Sequence, residues 1–274
     1  MTAAPQLLRY DIGSGVTAFS TMRHGGVSHG NYAAFNINEY CGDAPDSVAQ
    51  NRMALAATLG LEPELVIMPH QTHGAVVRRI DAGFLALSAD ARRMLLEGVD
   101  AVMTDVRGVC VGVSTADCIP VLLYDEEHGA VCAVHAGWRG TLAQIVLTAV
   151  KEMRLAYSTR PDRLRAVIGP GISMDAFEVG QEVYDEFQNA GFDMLGISMQ
   201  MPPMHPDDDS GAPLKWHIDL KECNRRQLLH AGVKAENIQV SDICTYSDSD
   251  NFFSARKLGA KSGRIYTAAI VNEE

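Results

Sequence analysis

The chain has 274 residues, which at a prior of about 150 residues per domain fits one large domain or two small ones. Hydrophobic residues make up 47% and charged residues 21%, ordinary globular proportions that exclude a disordered, collagenous or coiled-coil chain. The 23 Lys and Arg against 34 Asp and Glu leave a formal charge of −11, which repels polyphosphate and argues against nucleic acid as a partner while leaving a small anionic ligand open.

In chain order, Val16 to Ser20 reads as a strand. Around 47 to 59, Val48, Arg52, Leu55 and Leu59 with alanines between them predict a helix closing at Gly60. Strand-like runs then crowd together at Leu65–Met68, Ala75–Ile80, Ala101–Thr104, Val109–Ser114, Ile119–Tyr124 and Ala130–His135. Several are apolar on consecutive residues, so both of their faces should be buried. From Thr141, the stripe Leu142, Ile145, Val146, Ala149, Val150 and Met153 predicts a helix. A strand at Leu164–Ile168, helices near 181–190 and 219–230, and strands near Ile238–Val240 and Arg264–Val271 follow. The absence of a strict βαβ rhythm favours α+β with mixed sheets flanked by helices over a doubly wound fold.

Residues 198–214 carry four prolines and three consecutive aspartates and read as a long loop or flap. Met199, Met201, Met204 and His205 there could form a soft-metal site, but the prolines and acidic run favour a plain loop. Both flanks look globular, so one domain over 1–274 is expected. No apolar run reaches the ~18 residues that span a bilayer, and Met1 to Pro5 lacks the charged start and apolar core of a secretory signal. The expectation is a cytoplasmic protein with no membrane partner. The six cysteines are scattered without a C-x-x-C pair, as where thiols stay reduced. Cys110 and Cys132, inside apolar runs, read as core.

Three segments end an apolar strand in ionisable residues: VIMPHQTHG with His70 and His73, VGVSTADC with Asp117 and Cys118, and AVCAVHAGWRG with His135 and Arg139. Strands lying side by side would bring these ends into one pocket. His73, Cys118 and His135 could then bind zinc with a fourth tetrahedral position open. The same residues allow a thiolate nucleophile, Cys118 activated by His135; their sequence separation matches no local ligand motif and leaves both readings standing. Arg23-His24-Gly25-Gly26 offers backbone N–H groups and a planar guanidinium to an anion, or a surface hairpin. His135-Ala136-Gly137-Trp138-Arg139-Gly140 passes from strand to helix, where backbone donors attract anions and Trp138 can stack on a ring or join the core. Phe252 to Lys257, with Arg264 beyond, reads as an edge strand with basic residues.

Taken together, FSTMRHGGVSHGNYAAFNIN, PHQTHGAVV, DAVMTD, GVSTADCIPVLLYD, AVHAGWRGT, AVIGPGI, DLKECNRRQL and CTYSDSDNFFSARKLGAKSGR resemble the YfiH-like family, long labelled multicopper polyphenol oxidoreductases or laccase-domain proteins and more recently purine nucleoside phosphorylases. The matches run in order over nearly the whole chain. Met22 before Arg23 and Ala255 near the end depart from the family pattern. The resemblance implies a single α+β domain and a zinc site at His73, Cys118 and His135. It also implies phosphorolysis of adenosine, inosine, guanosine and methylthioadenosine, with adenosine deamination. Copper-dependent phenol oxidation and editing of peptidoglycan precursors are further activities linked to the family.

On that footing, Cys118, His73, His135 and Arg23 are the expected catalytic residues, with Arg23 holding phosphate. Gln71 and Asp117 are expected at the purine, with Asn36 and Arg139 as further substrate contacts. Laccase chemistry needs several coppers held by many histidines, and the nine histidines include no His-x-His pair. Zinc, lacking redox chemistry, suits displacement and hydrolysis instead.

Overall fold

The computed structural model describes residues 4–204 and 213–273. The strands in chain order are β1 (Leu7–Tyr10), β2 (Val16–Thr21), β3 (Val66–Ile67), β4 (Val77–Arg79), β5 (Ala101–Thr104), β6 (Cys110–Thr115) and β7 (Ile119–Asp125). They continue with β8 (Ala130–Ala136), β9 (Arg165–Ile168), β10 (Glu178–Val179), β11 (Ser198–Met201), β12 (Lys215–Ile218), β13 (Ile238–Val240) and β14 (Ile265–Val271). The helices are α1 (Pro45–Leu59), α2 (Ala82–Leu85), α3 (Ala89–Leu95), α4 (Trp138–Leu142), α5 (Ile145–Tyr157), α6 (Gln181–Asn189), α7 (Leu220–His230) and α8 (Ala255–Leu258).

Two mixed sheets carry the fold, one ordered β1-β2-β14-β6-β3 and the other β13-β9-β7-β8-β5-β4. They face each other across a core in which Ala18, Val111, Val113 and Ala269 meet Val102, Leu122, Val131, Ala133 and Val167. The outer face of the six-stranded sheet is covered by α5 and α7 through Val146, Ala149, Met153, Cys223 and Leu228. Leu55 and Ala56 of α1 cover Phe19, Cys110 and Tyr266 on the other sheet. Each central strand is therefore buried on both faces, which explains why β7 and β8 read as unbroken apolar runs. The expected α+β class with mixed sheets and flanking helices is what forms.

Several local expectations change. The stripe from Leu142 to Met153 is split, because Gln144 takes a left-handed conformation at φ 57° and separates α4 from α5. Both pieces still bury apolar residues in one core, so the periodicity runs through the break. The segment 198–214 is not all loop: β11 pairs antiparallel with β12, Met199 opposite His217. His205, named there as a metal donor, lies outside the described residues. The expected edge strand at Phe252–Lys257 is instead a turn leading into α8, whose Ser254 cap accepts from Lys257 N.

Candidate metal centre

Two crossovers between the sheets lie at one edge of the sandwich. The first, from β3 to β4, carries His73; the second, the three residues between β6 and β7, ends in Cys118. His135 is the next-to-last residue of β8, its backbone N–H donating to Asp100 O at 2.8 Å. His73 and Asp117 adopt positive φ, 66° and 81°, conformations that cost a non-glycine residue about 1–3 kcal/mol and persist only where surroundings fix them. Here they are fixed: Asp117 accepts from Thr245 Oγ1 at 2.7 Å and from Arg256 N at 2.6 Å, and its carbonyl takes Ile172 N at 2.8 Å. The backbone N–H of His73 donates to Asp100 at 2.9 Å.

These constraints bring the donor atoms of His73, Cys118 and His135 within 4.8 Å of one another. The imidazoles meet edge to face with centroids 4.8 Å apart. Gly137 closes the group from behind, where a Cβ would lie 3.0 Å from both Cys118 Sγ and His73 Cδ2. A side chain there would crowd the ligand shell, so the glycine is required by space rather than by backbone conformation. Two imidazole nitrogens and one sulfur at this spacing fit a tetrahedral ion with one free corner.

Asp100 supports the group from beneath. Fully buried, it accepts from His135 Nδ1 at 2.8 Å, Gly74 N at 2.7 Å and Thr72 N at 3.3 Å. Burial by itself would raise this carboxyl, but the His135 hydrogen bond and charge, with the backbone donors, hold it below the ordinary carboxylate range. Burial likewise opposes the Cys118 thiolate, yet His135 and His73 outweigh it and bring the thiol down to about 6. His135 moves the other way, to about 9, because Cys118 and Asp100 overcome its desolvation. The ion-free pair therefore prefers thiolate and imidazolium. With Nδ1 committed to Asp100, His135 presents Nε2, the carboxylate–imidazole arrangement that orients metal-binding histidines.

The trio opens into a cavity of about 370 Å³ whose other walls include Tyr40, His70, Gln71, Ser114 and Arg264. Gln71 lines it with its amide fixed, Nε2 donating to Ser114 O and Oε1 accepting from Ser114 N, both at 2.8 Å. Arg23, Asn36, Asp117 and Arg139 are not among the described residues lining it. The Arg23 guanidinium donates to Ala33 O at 2.9 Å and to Ser249 O and lies over Phe253, so it staples two loops together. Asn36 is fully buried and holds Asp43 and Arg264 N. Asp117 shapes the turn before Cys118, and exposed Arg139 packs over Trp138 with 4.1 Å to the ring centroid. Among the described residues lining the cavity the cation is Arg264, whose Nη1 donates to Ser262 O and Gly263 O and whose Nη2 donates to Ala260 O. Sequence reasoning missed Asp100, although a lone carboxylate directly before the apolar strand β5 is a visible signal.

A layered α+β sandwich with a His-Cys-His donor group at the edge of its sheets defines the class of protein. Residues 17–272 match the family model described as multi-copper polyphenol oxidoreductase laccase, and the chain belongs to that family. It is 44% identical over 260 residues to a purine nucleoside phosphorylase of Bacteroides thetaiotaomicron, covering 95% of this chain and 93% of the relative. It is 42% identical over 253 residues to adenosine deaminase RL5 of an unknown prokaryotic organism, covering 92% and 93%. The crystal structure of YlmD from Geobacillus stearothermophilus superposes with a TM-score of 0.84 at 31% identity, covering 100% of this chain and 98% of that one. The YfiH-like resemblance is borne out, and relatives of this similarity and coverage mark the chain as an enzyme.

Proposed function

We propose that the protein is a zinc-dependent purine nucleoside phosphorylase, a glycosyltransferase that uses phosphate to cleave adenosine, inosine, guanosine and methylthioadenosine, and that it also deaminates adenosine. The observation that carries this reading is the convergence of His73, Cys118 and His135 in the wall of a cavity of about 370 Å³, within the size range of small-molecule sites. We take the chain as one catalytic domain, because the cavity draws on residues from Asn38 to Arg264. A cytoplasmic setting suits six cysteines that all remain free.

When bound, zinc supplies a Lewis acid with an open coordination position, suited to activating water and to neutralising developing negative charge. The chain's own residues do the rest. Asp100 keeps the His135 ring in the tautomer that offers Nε2, while Cys118 contributes the anionic sulfur and His73 the second imidazole. Arg264 takes the anion-holding role expected of Arg23: it is the Arg or Lys among the described residues lining the cavity, and with Nη1 given to Ser262 O and Gly263 O and one Nη2 hydrogen to Ala260 O, the Nε–Nη2 edge of its guanidinium is the pair of donors for phosphate. Gln71, fixed to Ser114, walls the substrate side.

Purified protein with zinc confirmed by elemental analysis should release hypoxanthine from inosine only when phosphate is present. Zinc-loaded protein that releases none would remove the reading.

A second reading rests on one specific arrangement. Asp100, His135 and Cys118 are also ordered as carboxylate, imidazole and thiolate, the relay of a cysteine hydrolase. That reading predicts metal-independent cleavage of an amide-linked amino acid from a peptidoglycan precursor. Copper-dependent phenol oxidation has less support, since the described residues hold one three-donor group where laccase chemistry needs several coppers.

A further inference from the structure

His70 lies three residues before His73, lines the same cavity and belongs to no metal-donor group among the described residues. Its Nδ1 sits 2.8 and 2.9 Å from the two carboxylate oxygens of Glu97. Its backbone is clamped to the same segment, with His70 N donating to Leu96 O and Gly98 N donating to His70 O, each at 3.0 Å. Tyr40 stacks on the imidazole with centroids 4.1 Å apart and planes 20° from parallel. Position and ring plane are thus set, with Nδ1 turned to the carboxylate, while Nε2 makes no hydrogen bond among the described residues. An imidazole with a carboxylate on one nitrogen and the other unengaged in a substrate cavity is equipped to move a proton.

Phosphorolysis is eased by such a group. As the C1′–N9 bond breaks, its electron pair flows into the purine ring, and an unprotonated purine anion is a poor leaving group. We infer that His70 is the general acid of the reaction, donating the Nε2 proton to N7 of the departing purine, with Glu97 as its positioning residue. This rests on the phosphorylase reading. In the step, a phosphate oxygen forms the new bond to C1′, C1′–N9 breaks, and N7 takes the proton from His70. The proton shed by phosphate as it becomes a monoester restores the imidazolium. No oxidant or further reactant is needed.

The competing account makes the His70–Glu97 pair a surface contact that merely steadies the loop carrying His73. The two differ in their dependence on the leaving group. In 7-methylguanosine the purine already carries positive charge through N7 and departs without being protonated. The experiment compares phosphorolysis of inosine and 7-methylguanosine by the wild type, His70→Gln and Glu97→Gln, with zinc content and thermal unfolding recorded for each. In His70→Gln, kcat for inosine should fall by about 10²–10⁴-fold, the usual worth of a general acid, while kcat for 7-methylguanosine should fall by only a few-fold at unchanged zinc content. Glu97→Gln should show the same substrate pattern with a smaller loss, because the Gln carbonyl oxygen still accepts from Nδ1. Parallel losses on both substrates, an unaffected inosine rate, or loss of zinc in His70→Gln would each overturn the assignment. If that variant fails to fold, His70→Asn carries the same comparison. A wild-type enzyme inactive on both nucleosides with phosphate would instead sink the phosphorylase reading itself.

Discussion

Asp100 Oδ1 and His135 Nδ1 lie 2.8 Å apart with both residues buried, and the same carboxylate receives the backbone N–H of His73. One carboxylate therefore orients one candidate metal ligand through its side chain and another through its main chain. Asp100→Asn would turn an N–H group toward backbone donors that need an acceptor. The expected outcome is a fall in zinc affinity of about 10–100-fold, the usual scale for losing such support. A stability loss of about 3 kcal/mol should accompany it, as when one member of a buried ion pair is removed. Competition with a chromophoric chelator and denaturant unfolding measure the two effects.

Metal uptake should be coupled to protons with a definite sign. In the ion-free protein at pH 7–8, Cys118, at about 6, is already ionised, while His135, at about 9, still holds its proton. Binding must then expel about one proton, from His135. Apparent affinity should rise about tenfold per pH unit between roughly 6 and 9, level off above 9 and steepen below 6, where the thiol must also ionise. Calorimetric titration of zinc in buffers of different ionisation enthalpy reads the proton count directly. A count near zero at pH 7.5 would contradict the thiolate–imidazolium ground state.

The fold was legible wherever burial dictated residue type. Ala101–Thr104 and Ile238–Val240 match their strands to the residue, and the doubly buried β7 and β8 are plain from their apolar runs. Local polar chemistry was harder to read. Two short helices escaped notice although Asp81 and Ser88 cap them, accepting from Phe84 N and Ala91 N. The prolines of 198–214 hid a hairpin that pairs outside them. In the site, the strand ends offered the trio as one of two readings and the family resemblance implied it as a zinc site; its members meet by two inter-sheet crossovers, a long-range arrangement that spacing does not encode. Arg23 looked like the anion holder from its glycine-rich context, but it is not among the described residues lining the cavity, and it ties the Ala33 and Ser249 carbonyls together instead.

The two arginines should separate cleanly by kinetics. Arg264→Lys keeps the charge but loses the planar fork, and should raise KM for phosphate by roughly tenfold, about 1.4 kcal/mol of binding, with little change in KM for inosine. Arg23→Ala removes the staple between two loops and should instead lower stability by about 1–3 kcal/mol while leaving KM for phosphate near the wild-type value. Initial-rate kinetics with phosphate varied at saturating inosine, alongside thermal unfolding, decide the matter; a raised phosphate KM in Arg23→Ala alone would return the role to that residue.

Gly137 tests the geometry of the ligand shell without touching a ligand. Its φ of −67° suits any residue, so alanine would not strain the backbone, but its Cβ would stand 3.0 Å from both Cys118 Sγ and His73 Cδ2. Those side chains are the ones that must stay close, so relief of the contact pushes them apart. Gly137→Ala should lower zinc affinity by at least about tenfold, comparable to losing a supporting contact, and lower activity in proportion. Stability of the ion-free protein should fall by about 1–3 kcal/mol, the usual cost of overpacking a buried position alone, since the helix start itself is unstrained. Elemental analysis after dialysis against a weak chelator, paired with unfolding in strong chelator, separates the two. Full zinc retention would mean that the glycine is not what sets the spacing of the donors.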